Sequence, residues 1–240
     1  MTAAVSEVSA SSSSNRLLAR LPHDEYQRLR QDLEPITVHS KRILLKPQEL
    51  SGTVYFLEGG VCSLTQATAD GQVAGVGVVG NEGLIGMTEF GGDPESGVTA
   101  IVEIADGDAL AMDVRAFRRE LERRKNFSDL VHRYARAFTC ALMQSITCNA
   151  LHSIERRCAR CLLDIRDRVG RSELPVTHDT LAEMLGVRRA SITLAAGALQ
   201  RAQLIDHSHK RIAITDSAGL EATSCECYAA VKRHYDRLFV

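Results

Sequence analysis

The stretch that decides the fold runs from Val176 to Ile205 and reads VTHDTLAEMLGVRRASITLAAGALQRAQLI. Thr177 carries the hydroxyl of an N-cap, and Asp179 falls in the first turn, where a carboxylate meets the positive end of the helix dipole. Leu181 and Leu185 are four residues apart and share one face. Gly186 then supplies the break for a sharp turn. Beyond it, Ile192, Ala195, Ala196 and Leu199 form a helical stripe that packs against the first helix. That packing leaves Arg188, Arg189, Ser191 and Thr193 near the exposed N-terminal end of a helix over residues 188–202. The spacing predicts a helix-turn-helix, whose second helix presents this end to base edges in a DNA major groove.

An αα-hairpin in an enzyme core would share this periodicity, but the residues that follow point elsewhere. Leu204 and Ile205 start a strand, His207 to Lys210 form a polar turn, and Arg211-Ile212-Ala213-Ile214 alternates like a returning strand. Two helices followed by a β-hairpin describe a winged helix. From Gly186 to Arg211 the basic residues are Arg188, Arg189, Arg201, Lys210 and Arg211, and Asp206 is the only acid. A local positive excess is what phosphate contacts require.

The formal net charge of −1 over 240 residues conceals this patch. The length suits two domains, each with its own core. No apolar run approaches the ~20 residues of a membrane-spanning helix. The opening MTAAVSEVSASSSSN lacks the basic start and apolar centre of a signal peptide, and its Ser and Ala content predicts a disordered tail over residues 1–15. Seven cysteines without an export signal predict reduced thiols and a cytoplasmic location.

Between the tail and the winged helix the pattern changes twice. NRLLARLPHDEYQRLRQDL, from Asn15 to Leu33, reads as short helices. Short β-rich runs follow: Ile36 to Val38, Ile43 to Leu45, Val54 to Leu57, Val61 to Leu64, Val73 to Val79 and Thr99 to Ile104. Glycines punctuate them, and Asp70-Gly71 between two apolar runs is a strong hairpin signal. Such spacing predicts a small β-barrel, roll or sandwich. After Arg115 the reading is helical: Ala116 to Arg124, a long helix from about Phe127, and a third from Ser153 to Val169. On the long helix, Phe127, Val131, Tyr134, Phe138 and Ala141 keep 4-3 spacing, while Leu130, Leu142 and Ile146 widen the apolar surface. A helix apolar on more than one side needs two partners, here its own β domain and a second subunit, and the 4-3 stripe is the expected dimer interface.

The order β-roll, long helix, winged helix resembles the Crp/Fnr family of bacterial transcription regulators. The resemblance covers about residues 16–216. Its most specific parts are GTVYFLEGGVCSL, DGQ and GNEGLIGM in the roll and LAEMLGVRRASITLAAGALQRAQLI in the DNA domain. It implies an α+β fold with an N-terminal double-stranded β-roll of the cupin-like jelly-roll kind, a long dimerisation helix and a C-terminal winged helix-turn-helix. The corresponding divisions are a roll acting as sensor or effector domain over residues 16–125, a dimerisation helix and hinge over 126–152, and a DNA-binding domain over 153–240. It also implies a homodimer on a two-fold symmetric operator, with double-stranded DNA and RNA polymerase as partners.

Cyclic-nucleotide-binding relatives place a Gly-Glu pair and then an Arg-Ser or Arg-Ala pair in the roll. The corresponding region here is LIGMTEFGGDPESGVTAIV. Gly86 is kept, Met87 stands where the glutamate belongs, and no arginine occurs between Lys46 and Arg115. A buried phosphate would meet no guanidinium from this region, so cyclic AMP is not the expected effector. Gly86, Gly91 and Gly92 offer only backbone amides. The family's iron–sulfur mode needs cysteines near the N-terminus, and none precedes Cys62. Cys158-x-x-Cys161 and Cys225-x-Cys227 have metal-like spacing, yet thiols three apart on an amphipathic helix more often pack as small apolar groups. Cys140 and Cys148 lie roughly on one side of the long helix, which would suit a redox-responsive dimer interface, but buried structural thiols are the favoured reading. No cofactor or metal is expected, and the effector stays unidentified.

The family's guanine-reading arginine corresponds to Arg189. Arginine bonds both guanine acceptors at once, worth roughly 1–3 kcal/mol of discrimination. Ala190 replaces a family glutamate and Leu194 a basic residue, which implies a different operator. Arg188, Ser191 and Thr193 are the remaining recognition-helix candidates. Thr177 and His178 would reach phosphates from the first helix, and Lys210 and Arg211 from the wing. The rival reading is an effector-binding or protein-interaction module whose helix-turn-helix no longer binds DNA. No catalytic residues are assigned: paired carboxylates, a nucleophile motif and a phosphate-cradling loop are all missing from the sequence.

Overall fold

The computed structural model describes residues 13–49, 52–86, 96–208 and 210–240. After a 3-10 turn at Leu18–Arg20 and helix α1 (His23–Arg30) come strands β1 (Leu33–Ile36), β2 (Ile43–Leu45), β3 (Thr53–Leu57), β4 (Val61–Ala67), β5 (Val73–Val79), β6 (Thr99–Ile104) and β7 (Ala109–Asp113). They pair antiparallel as two sheets, in the orders β1-β7-β3 and β2-β6-β4-β5. β1 includes Pro35, which has no amide hydrogen to donate and so sits on an edge strand. The strand predicted over Ile36 to Val38 lies instead at Leu33–Ile36 and meets the predicted range only at Ile36.

Three helices follow: α2 (Val114–Glu122), α3 (Asn126–Leu151) and α4 (Ile154–Val169). The side chain of Asp113 caps α2 and that of Ser153 caps α4, and these caps place α2 two residues before its predicted range. The winged helix adds β8 (Glu173–Leu174), α5 (His178–Leu185), α6 (Arg189–Arg201), β9 (Ile205–Ser208) and β10 (Arg211–Ile214), with strand order β8-β10-β9. The chain ends in α7 (Ser217–Thr223) and α8 (Cys227–Asp236). The architecture is the α+β arrangement of roll, long helix and winged helix-turn-helix. Among the described residues, no helix is long and apolar enough to cross a membrane.

Two apolar cores divide the molecule. The first fills the roll and includes Phe56, Phe117 and Phe127, with ring centroids 5.5–6.4 Å apart. The second lies inside the winged helix around Leu162, Leu181, Ile192, Leu199 and Ile212. It also takes in Val61 and Ile104, whose side chains reach it from the roll. The last helix goes the other way: Val231, Tyr235, Leu238 and Phe239 belong to the first core, and the Tyr235 ring lies 6.5 Å from that of Tyr134 on α3.

The stripe expected at a dimer interface requires correction. Phe127, Val131, Tyr134 and Phe138 are buried in the chain's own core, and Ala141 packs against it half-buried. Large aromatic side chains gain most by filling the roll, so that face is not available to a second copy. The exposed apolar residues of α3 are Met143 (63% exposed), Ile146 (70%) and Leu151 (74%). With Thr139 and Ala150, Met143 and Ile146 keep 4-3-4 spacing on a second stripe. It lies roughly 130° around the helix from the buried one.

The winged helix rests directly on the roll. A Cβ built at Gly75 of β5 would come 2.1 Å from the Met184 carbonyl oxygen of α5, closer than any side chain tolerates. Lys41 pairs with Glu183 at 3.1 Å, and Arg168 of α4 pairs with Glu82 of the roll at 2.9 Å. Gly75→Ala must therefore push α5 off β5, costing about 1–3 kcal/mol. Thermal unfolding should show that loss, with faster hydrogen exchange in α5. Gly52→Ala, where a Cβ meets nothing within 4 Å, should leave both unchanged.

Candidate nucleic-acid interface

The turn between α5 and α6 is built by Gly186, which adopts φ +62° in the left-handed region and closes α5 through bonds from its amide to Ala182 and Glu183. α6 then buries Ile192, Ala195, Ala196 and Leu199 against α4 and α5. Its opposite face is open: Arg188, Arg189, Ala190, Thr193 and Leu194 are exposed and Ser191 is half-buried. Leu194 is 75% exposed, an unusual place for a large apolar side chain. Arg188 occupies the N-cap position without any side-chain capping bond, and the first turn holds no acidic residue. The N-terminal end of this helix dipole thus keeps its partial positive charge, which favours anions.

Local bonds commit several candidate side chains. The Thr177 hydroxyl caps α5 by accepting from the Thr180 amide at 3.2 Å. The Thr193 hydroxyl donates to the Arg189 carbonyl at 3.2 Å and lies 3.1 Å from Nδ1 of His178. The His178 ring stacks on His207 of the wing with centroids 4.2 Å apart. These two threonine hydroxyls and this histidine bond within the domain, tying α5, α6 and the wing to one another. Arg189 pairs with Asp179 at 3.4 Å, both well exposed. Arg211 pairs with Glu173 at 3.2 Å and donates to Ser208, whereas Lys210 is exposed beside the wing turn.

Burial, then the His207 ring and the Arg189 charge, hold the His178 imidazole below its ordinary pKa of 6.5, and Asp179 offsets part of this. A histidine depressed in the folded state takes up its proton more readily when unfolded. The stability it contributes is therefore complete above pH 6.5 and is lost as pH falls through the lowered value. Denaturant unfolding followed on both sides of pH 6.5 should show this loss. His178→Gln should flatten the dependence.

The stretch of the roll that corresponds to the family's nucleotide-binding region is described only in part. Met87, Gly91 and Gly92 lie outside the described residues. Cys158 and Cys161 are buried in the winged-helix core, as their helical spacing suggested. A different set of thiols meets elsewhere: Cys148, Cys225 and Cys227 come together with His152. Spacing in the sequence missed this grouping, because only the docking of α8 on α3 brings it about.

A β-roll joined by one long helix to a winged helix-turn-helix is the class these elements define. Residues 156–223 match the family model of the Crp-like helix-turn-helix domain. Over most of its length the chain has the fold seen in solved Crp/Fnr transcription regulators. It is similar to a Crp/Fnr-family putative transcriptional regulator from Eubacterium rectale, with TM-score 0.66, 19% identity and coverage of 85% of this chain and 94% of the other. A CRP-family regulator from Thermus thermophilus gives TM-score 0.64 at 20% identity over 80% and 96% of the two chains. FixK2 from Bradyrhizobium japonicum gives 0.64 at 14% identity over 80% and 98%. No curated protein matches the chain in sequence.

Proposed function

We propose that the chain is a sequence-specific, DNA-binding transcription regulator that reads a two-fold symmetric operator as a homodimer. The observation that carries this reading is the open face of α6. Two consecutive arginines, an uncapped helix N-terminus and exposed Ala190 and Leu194 stand on one side of a helix whose other side is buried. Arg189 bonds guanine with its two-pronged guanidinium, and Arg188 and the first-turn amides meet phosphate. Ala190, Leu194 and the Thr193 methyl group present apolar surface, which suits thymine methyl groups. Thr177 and His178 act mainly by fixing α5 and the wing, and Ser191 lines the edge of the contact.

The dimer forms through Met143, Ile146 and their neighbours on α3, and two copies of α6 then face successive half-sites. RNA polymerase is the expected protein partner, and the protein acts without catalysis in the cytoplasm. Cyclic AMP is not its effector, given the roll's missing arginine.

Selection of bound sequences from random DNA tests this directly. A symmetric consensus with guanine at matched positions in both half-sites is expected. Absence of any enriched sequence would favour a module that has lost DNA binding. Lys210→Ala in the wing should weaken binding to all sequences alike. The salt slope should fall by about 0.9 for each phosphate that the variant no longer neutralises. A weakening confined to one operator, measured by fluorescence anisotropy over a salt series, would contradict the phosphate assignment.

A further inference from the structure

Where the long helix ends, four side chains from separate segments converge. Cys148 lies in the last turn of α3 and His152 is its C-cap; Cys225 stands between α7 and α8, and Cys227 opens α8. One ligand atom from each lies within 4.8 Å of all the others. The Sγ atoms of Cys148 and Cys225 are 3.5 Å apart, as are Cys227 Sγ and His152 Nδ1. We propose that these residues form a tetrahedral Cys3His site for a single thiophilic divalent ion, zinc above all.

The dimensions fit one ion. Zinc bonds of ~2.3 Å to sulfur and ~2.0 Å to nitrogen put the corners of a tetrahedron about 3.5–3.8 Å apart. The two observed edges already have that length. An iron–sulfur cluster binds its thiolates around the outside of a multi-atom core and would need them spread wider.

The surroundings supply what such a site requires. His152 Nε2 lies 3.2 Å from a carboxylate oxygen of Glu226. A proton held there by the carboxylate leaves the Nδ1 lone pair facing Cys227, the second-shell arrangement that orients metal-bound histidines. Gln144 donates to Cys227 Sγ at 3.0 Å, a bond that suits a thiolate. Three thiolates and a divalent ion carry one net negative charge. Arg157 and Arg160, both buried, lie within electrostatic reach of Cys148 and Cys225. Their Nε atoms have no hydrogen-bond partner among the described residues.

Simple packing of small thiols is a poorer account. Among the described residues, Cys148, Cys225 and Cys227 form a buried cluster of their own, separate from both cores. Cys158 and Cys161 show the ordinary case, as members of the winged-helix core that holds many leucines and isoleucines. Four protein ligands close the coordination sphere, so the ion is structural, not catalytic. It clasps the α7–α8 junction to the end of α3, beside the break that leads into α4.

The test uses the full chain purified under reducing conditions. We expect about one zinc ion per chain after gel filtration. Cys225→Ser and Cys227→Ser should lose at least tenfold of that content, and Cys158→Ser should keep it. Chelator-stripped wild type given Co2+ should develop thiolate-to-cobalt charge-transfer bands and the intense visible bands of tetrahedral cobalt. His152→Cys should retain a tetrahedral spectrum with a shifted charge-transfer band. The wild-type measurements decide the matter even if a serine variant misfolds. Wild type that holds no zinc and gives no tetrahedral cobalt spectrum would overturn the proposal. So would zinc content unchanged by both serine substitutions.

Discussion

Replacing Arg189 by alanine should erase operator selectivity while leaving the chain folded and dimeric. Arg189 is exposed and its ion pair is with Asp179, itself exposed, so its removal disturbs no core. Each bidentate guanine contact contributes about 1–3 kcal/mol of discrimination. A dimer presents two copies, so the expected loss is about 2–6 kcal/mol, roughly 30-fold to 10^4-fold in affinity for the selected operator. Binding to unrelated DNA rests on phosphate charge and should fall far less. Arg189→Lys sharpens the assignment. It keeps the charge but lacks the planar fork, so it should behave like alanine in a competition assay while keeping more of the nonspecific affinity. Equal selectivity of the mutant and wild-type proteins would sink the role given to Arg189.

How far the sequence could be read depended on whether an element's partners were local. The helix-turn-helix was legible because Gly186 separates two amphipathic patterns and the stripe from Ile192 to Leu199 meets neighbours within the same domain, α4 and α5. Gly-punctuated runs revealed six strands of the roll. β7, reading ALAMD, went unseen because alanines carry little strand preference, although it is the central strand of its sheet. Periodicity indicated that α3 is apolar on two sides, but it carried no information on which side faces inward, and the stripe expected to face a partner is the one the roll buries. The roll's appetite for aromatic rings settled that in favour of Phe127, Tyr134 and Phe138. At the candidate site, sequence placed Thr177 and Thr193 near the interface. It did not show that their hydroxyls serve a cap and a histidine. The thiol cluster was illegible because Cys148 and Cys225 are 77 residues apart and meet only through the packing of α8 on α3.

The second stripe on α3 carries the other large expected effect: Ile146→Glu should convert the proposed dimer to monomers. Ile146 is 70% exposed within one chain, so the substitution leaves that chain's core intact. A partner lying along the same face would bury it. Burial of one isoleucine is worth about 1.5–3 kcal/mol, and two-fold symmetry counts it twice. Glutamate forfeits that gain and sets two carboxylates against each other near the axis. The dimer dissociation constant should rise by at least about 100-fold, measured by analytical ultracentrifugation. Gel shifts on the symmetric operator should then show half-site complexes at higher protein concentration. Phe127→Ala provides the contrast. It should cost about 3–5 kcal/mol of folding stability, because its ring fills the roll. If Ile146→Glu stays dimeric while Phe127→Ala dissociates without unfolding, the buried stripe is the interface after all. The assignment of the two faces would then be reversed.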